Sequence, residues 1–406
     1  MIANKNINKK DSHIDILDGL RGIAIVMVVL FHIWQQSWLN HSINIGGLSI
    51  DLNFIPATGY LGVELFFFIS AFCLFYPYAR HMIEGYKLQS VRQFAYRRAI
   101  KIIPSYFLSI ILILAIIGGN FGSISDAMKH IVTHIFFIHS WFPDTYGSIN
   151  GVFWSLAVEV QFYFIFPLIC WLFRKKPLIV YISMSIFSIA FRYYIQNYKP
   201  DDFHFLLNQL PCFLDIFGAG MFAAYLFVLM KNRIKNIEAL APFFTILSVL
   251  FFIIFYYMLK WLYDLHFPDE GIKLWQSQNR IYLSLIFLLI TISSAFSIKI
   301  YRKILANKLL VFLSVISYNL YIWHQLVALE LLKRKIPAPQ TSDPHSEFTW
   351  QISFTLLSIF SGILLSSIIT YGFERPLLKN GVKNTFRNIR GLLGKTPATG
   401  KHIGHK

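Results

Sequence analysis

Apolar runs long enough to cross a membrane recur along the whole chain, and they limit the possible folds more than any other feature. A bilayer's hydrocarbon layer is about 30 Å thick, which roughly 20 helical residues span. Runs of this kind fall near residues 22–38, 60–78, 102–118, 151–173, 178–195, 211–230, 241–260, 281–298, 309–331 and 351–373. Within hydrocarbon every backbone N–H and C=O needs a partner in the protein, so spans are helices or closed barrels. Barrel strands read as short alternating segments, and the sequence has none. The expected fold is therefore all-α, a polytopic transmembrane helical bundle of about ten spans. Charged residues make up 14% of the chain, against roughly a quarter in a soluble domain. No long soluble domain is left once the spans are set aside.

The connections read as follows. Segment 131–142 is apolar but too short to cross, so a re-entrant or interfacial piece is expected. Residues 261–280 read as a polar, aromatic linker. Residues 332–350, with Pro337, Pro339 and Pro344, read as an irregular loop.

Lysine and arginine set the orientation. With residues 1–21 in the cytosol, 28 of the 37 Lys and Arg fall on the cytosolic side and eight on the other, with Arg192 inside a span. Both termini are expected in the cytosol. The net charge of +17 then reflects topology and requires no nucleic-acid partner. The first run has no convincing cleavage site and reads as a retained span. The expected layout is a cytosolic segment 1–21, a membrane domain 22–376 and a basic tail 377–406. In that tail Val382, Phe386, Ile389 and Leu393 recur at helical spacing among Lys383, Arg387 and Arg390, as in a helix lying on an anionic leaflet. Cys73, Cys170 and Cys212 lie in apolar runs and give neither a disulfide framework nor metal-ligand spacing. No metal is expected.

Ionisable residues inside or at the edges of the spans are the functional candidates. Arg21 and His32 are eleven apart, on nearly the same helix face and ~16 Å apart along the axis. With Arg21 at a membrane surface, His32 lies near the middle of the bilayer, either as a base or as a packing histidine. Glu64 and Ser70 belong to a run with Gly62 and Ala71 that permits close helix approach. Arg97, Arg98 and Lys101 enter the third span; Arg98 and Lys101 share a face and suit a phosphate clamp or a topology signal. Pro104 reads as part of an early helical turn. Beside Trp154, the residues Ser155, Glu159 and Tyr163 form a polar stripe at i, i+4 spacing. Tyr318, Tyr321 and His324 line one side of the ninth span, as an aromatic packing stripe or a pocket wall.

Six of these features occur in a familiar order: Arg21-x10-His32, Gly62 to Phe72, Arg98-x-x-Lys101 with Pro104, Trp154 to Tyr163, Tyr321 to His324, and Glu374-Arg375-Pro376. Together they resemble the acyltransferase-3 family of bacterial membrane O-acyltransferases, over roughly residues 15–376. Ala71 stands where the family usually has Gly, and Lys101 where it usually has Arg. The second change keeps a cation and removes a planar fork.

The resemblance implies transfer of an acyl group, usually acetyl, from cytosolic acyl-CoA to a hydroxyl of an extracytoplasmic polysaccharide or lipid-linked oligosaccharide. Membrane lipids surround the protein, and the expected location is the bacterial cytoplasmic (inner) membrane. Acetyl-CoA would be a co-substrate, with no tightly bound cofactor. Some members carry a fused esterase-like domain; only about thirty residues, net basic, follow the last span here, so a member without it is expected, like modifiers of O-antigen. In this reading Arg21, Arg97, Arg98 and Lys101 bind the CoA phosphates. His32 acts as general base or takes the acyl group covalently, and Glu159 fixes its tautomer. Glu64, Ser70, Trp154, Ser155, Tyr163, Tyr321 and His324 line or support an acceptor pocket. The competing class is an exporter of polysaccharide or lipid-linked sugar, which explains ten spans but not a cationic clamp in line with a mid-membrane histidine.

Overall fold

The computed structural model describes residues 14–45, 48–119, 121–265, 269–379 and 381. Among these, ten helices are long and apolar enough to cross a bilayer. They are α1 (Asp15–Ser37), α2 (Gly62–Glu84), α3 (Val91–Ile116), α5 (Phe153–Lys175), α6 (Pro177–Tyr198), α7 (Leu214–Arg233), α8 (Ala241–Asp264), α9 (Asp269–Ala295), α10 (Lys308–Lys333) and α11 (Phe348–Ile369). The twelve-residue α4 (Ile124–Ile135) is too short to cross, and the apolar segment 131–142 runs from its last turn into a 3-10 turn, His139–Trp141. Strands β1 (Ser42–Ile45) and β2 (Leu48–Asp51) form a small antiparallel hairpin after α1. The proposed surface helix of the basic tail lies outside the described residues.

Helix ends depart from the hydropathy reading where polar residues join the helix. Most of the expected linker 261–280 is helical: α8 runs to Asp264 and α9 starts at Asp269. Arg280 therefore sits inside a helix, 1% exposed, and not in an outer loop. A window of averaged hydropathy misses this turn because Gln276, Ser277, Asn279 and Arg280 face protein rather than lipid. Helix α3 begins at Val91, well before its apolar run. Ser90 and Gln93 close a reciprocal capping box there. Pro104 is thus in the helix interior, not its first turn, where it leaves the carbonyl four residues earlier without a helical donor. Helix α11 passes into a π turn, Thr370–Glu374.

Helix association in lipid relies on close packing and polar contacts, because lipid tails are as apolar as the side chains. Helix α1 packs along α10 and α2, and α7 packs along α2 and α9. At Gly22 a Cβ would fall 2.4 Å from the Leu310 carbonyl oxygen of α10, and at Gly220 2.2 Å from that of Phe68 in α2. Only glycine allows either approach. Lipid-facing positions such as Ile111, Phe164, Ile246 and Phe360 are exposed and apolar.

The buried Arg192–Asp215 pair ties α6 to α7. Arg192 of α6 donates to Asp215 Oδ2 at 2.7 Å and to the carbonyls of Cys212 and Ser277, each at 2.8 Å. Both side chains are almost fully buried.

Candidate active site

Helices α1 and α10 run in the same direction. Asp18 of α1 accepts from Ser314 of α10 at 3.3 Å, and further along the two helices His32 meets His324. The close approach at Gly22 brings them together. His324 is fully buried; its Nδ1 lies 2.8 Å from the Leu320 carbonyl oxygen. A carbonyl can only accept, so this assigns the proton to Nδ1 and leaves Nε2 an acceptor. His32 Nδ1 is 3.0 Å from that Nε2 and 3.0 Å from the Val28 carbonyl oxygen. Both neighbours are acceptors, so His32 carries its proton on Nδ1. The opposite nitrogen, Nε2, keeps its lone pair. His32 lines a cavity of about 650 Å³ with Trp34, Tyr60, Glu64, Trp154, Gln276 and Arg280.

A second cavity, about 460 Å³, lies toward the Arg21 end of α1. It is lined by Arg21, Arg97, Arg98 and Lys101, and by Ser70, Ser155, Glu159, Tyr163 and Tyr318. Four cations from α1 and α3 thus converge on one space. Arg21 bonds Asp18 at 3.2 Å. Arg98 rests 6.0 Å from the Tyr163 ring centre, and its buried Nε has no hydrogen-bond partner. Lys101 is bonded to Glu374, whose other oxygen accepts from Asn319 at 2.6 Å. The π turn carries Glu374 to this place, and such turns recur at functional sites.

Val63 and Tyr321 line both cavities. The Tyr321 hydroxyl is 2.5 Å from Ser155 Oγ and 3.2 Å from the Val152 carbonyl. Its ring centre is 6.0 Å from that of His324. Tyr321 is therefore the partition between a histidine cavity and a cationic cavity.

Every candidate read from the sequence lines one of the two cavities or supports it, but the grouping changes. Glu159 does not touch His32. Its Oε1 accepts from Ser70 and Tyr163, each at 2.6 Å, within the cationic cavity. The histidine tautomer is set by the Val28 carbonyl within α1 and by His324, because α10 and not α5 packs beside α1. Ser70, Ser155 and Tyr163 line the cationic cavity, Trp154 and Glu64 the histidine cavity.

Arg280, Tyr60, Gln276 and Asn319 were not among the sequence candidates. Arg280 Nε and Nη2 each lie 3.0 Å from Glu64 Oε1, and the guanidinium lies 4.1 Å from the Phe213 ring centre. A buried Glu64 demands a cation, and the polar turn just before the eighth apolar run was the available signal.

With this geometry in view, comparison with known proteins identifies the family. The acyltransferase-3 model, an acyltransferase domain, matches residues 14–371. The chain belongs to this family. It is 27% identical to a putative acetyltransferase of Acidianus two-tailed virus, over 76% of this chain and 81% of the relative. It is 25% identical to a putative O-acetyltransferase of Staphylococcus aureus (strain COL), over 92% of this chain and 59% of the relative. A peptidoglycan O-acetyltransferase of Listeria monocytogenes is 20% identical, over 92% of this chain and 57% of its own length. The chain thus spans under two thirds of the two bacterial relatives. No solved structure matches. Ten membrane-length helices and the family together make this a multi-pass membrane protein.

Proposed function

We propose that this acyltransferase-3 member moves an acyl group, in the simplest case acetyl, from acyl-CoA to a hydroxyl of a cell-surface or lipid-linked polysaccharide. One observation carries the reading: the free Nε2 of His32 and the four-cation cavity lie on opposite sides of Tyr321. The relatives' names, acetyltransferase and O-acetyltransferase, support the reaction class.

In this reading the CoA phosphates rest against Arg21, Arg97, Arg98 and Lys101, which supply charge-assisted hydrogen bonds. In the same reading the cavity faces the cytosol of a bacterial cytoplasmic membrane, where acyl-CoA is found, the side that the Lys and Arg distribution favours. The flexible pantetheine arm carries the thioester past Tyr321. The acceptor enters the histidine cavity from the other face. Its hydroxyl gives its proton to His32 Nε2 as the oxygen attacks the thioester carbonyl. The tetrahedral intermediate then expels the CoA thiolate, and His32 returns the proton to sulfur. His324 and the Val28 carbonyl hold His32 in the tautomer this step needs. No residue changes its net protonation over the cycle.

The test is purified protein in nanodiscs with labelled acetyl-CoA, followed by mass spectrometry of surface glycans from cells with and without the gene. Release of CoA thiol and loss of one acyl mass from the glycan are expected. Glycan export that stops with no acyl group missing overturns the reading in favour of a sugar exporter. An acyl adduct on His32 in a quenched reaction would replace direct transfer by a covalent route.

A further inference from the structure

The histidine cavity holds three buried polar atoms with no hydrogen-bond partner: Glu64 Oε2, Gln276 Oε1 and the Tyr60 hydroxyl. Glu64 is 3% exposed and Gln276 6% exposed, and all three residues line the cavity. Buried polar groups are nearly always paired, so three orphans on one cavity wall mark a place where a ligand or water completes them. Nothing in the acyl-transfer step uses them.

Their chemistry narrows the ligand. The carboxylate and the amide oxygen accept, and the phenol donates or accepts. Two acceptors and one dual group match neighbouring hydroxyls, which donate and accept in turn. Around Glu64 itself, charge disfavours an ionic ligand. Arg280 already neutralises Glu64 through Oε1, so an added cation meets Arg280, while an added anion meets the free carboxylate oxygen. The remaining wall carries several aromatic rings beside polar residues such as Gln35, His204, Asn208 and Lys273. Trp34, Trp154 and Phe213 line it, and Trp154 is stacked on Phe213 with centroids 6.0 Å apart. Flat apolar faces beside a few hydroxyl-binding groups suit the C–H face and the hydroxyl edge of a sugar ring. The volume, about 650 Å³, falls within the ~300–1,000 Å³ of ligand sites.

We infer that Glu64, Tyr60 and Gln276 form the subsite that binds and orients the acceptor, a neutral polyhydroxylated ring, with one hydroxyl toward His32 Nε2. The inference rests on the acyl-transfer reading above and adds to it the residues that choose the acceptor. Glu64 is held by Arg280 and these two act as one unit. Tyr60 and Gln276 read the ring through atoms that the empty fold leaves unpaired.

That last point makes the inference testable without breaking the fold. Removing an atom that bonds nothing costs the empty protein little, so Tyr60→Phe and Gln276→Leu should insert and melt as wild type does. The probes are maltotetraose and chitotetraose, given separately with acetyl-CoA to the full chain in nanodiscs. At least one is expected to become acetylated. Each variant should raise the KM of that oligosaccharide about three- to tenfold, the effect of one lost hydrogen bond. The KM of acetyl-CoA should stay within about twofold, because the CoA phosphates bind in the cationic cavity beyond Tyr321 and only the thioester end passes it. An unchanged oligosaccharide KM in both variants overturns the subsite while leaving acyl transfer intact. Wild-type protein that acetylates neither oligosaccharide but does acetylate glycerol or a fatty alcohol overturns the sugar-ring assignment. If no acceptor, water included, ever releases CoA thiol, the acyl-transfer reading itself falls, and the subsite with it.

Discussion

His324 Nε2 lies 3.0 Å from His32 Nδ1, at the point where two parallel helices cross deep in the apolar bundle. The contact makes a chain from the Leu320 carbonyl through both imidazoles to an unprotonated nitrogen facing a cavity. One histidine orients the other, the part that a carboxylate plays in many hydrolases. A neutral partner is well suited to this depth, since a second charge in hydrocarbon carries a heavy desolvation cost.

His32→Ala should lower kcat by about two to four orders of magnitude, the usual worth of a general base. His324→Phe removes one of the two acceptors around the Nδ1 proton, leaving the Val28 carbonyl, and keeps a ring of similar size. It should lower kcat less, with little change in either KM. Steady-state kinetics on folded protein in nanodiscs checks both. A His324→Phe enzyme with wild-type kcat would show that the pair is packing only.

Arg98→Ala should raise the KM for acetyl-CoA about tenfold or more and leave the acceptor KM alone, because a charge-assisted contact to phosphate is worth ~1.5–3 kcal/mol. Lys101→Ala should do the same and also lower the melting temperature, because it leaves the buried carboxylate of Glu374 without its cation. Titration calorimetry with CoA, beside a melting curve, separates the two effects.

Tyr321→Ala should open the partition between the cavities. Water from the histidine side would then reach the thioester, so acetyl-CoA hydrolysis without acceptor should rise severalfold. Tyr321→Phe keeps the ring and loses only the bonds to Ser155 and Val152. It should leak far less. CoA-thiol release without acceptor is the readout, and equal leak in both variants would contradict the partition.

Asp215→Asn leaves Arg192 charged, buried and without its carboxylate. Breaking such a pair costs about 3–5 kcal/mol. The yield of folded protein and its melting temperature should fall sharply, while the folded fraction keeps its turnover, since neither residue lines the two cavities.

His134, in the last turn of α4, and His139, in the 3-10 turn that follows, stack with ring centres 3.9 Å apart, and both are fully buried. Burial holds His134 down at about 4. Burial, and then the neighbouring His134, hold His139 down at about 3. The ordinary value is 6.5. The unfolded chain therefore binds more protons between these values, so stability is complete above pH ~6.5 and declines as pH falls toward 4. His139 makes no hydrogen bond through either ring nitrogen, so His139→Phe can preserve the stack. Its melting temperature should drop less than that of wild type between pH 7 and pH 4.5. Parallel melting curves for the two proteins would contradict this.

The ten spans were legible in the sequence because hydrocarbon leaves the backbone no choice but helix, and twenty apolar residues announce it without any tertiary information. The motifs around Arg21, His32, Arg98 and Lys101 were legible too, since helical spacing alone puts Arg21 and His32 on one face and Arg98 and Lys101 on another. Sequence could not say which helices touch. That depends on glycines such as Gly22 and Gly220, whose missing side chains decide where two backbones meet. It was therefore the tertiary structure that gave His32 a histidine partner and took Glu159 to the cationic cavity. It also drew Arg280 from an expected loop to the side of Glu64. A buried charge is stabilised only by a partner, and the partner's identity is settled by packing across helices far apart in the chain.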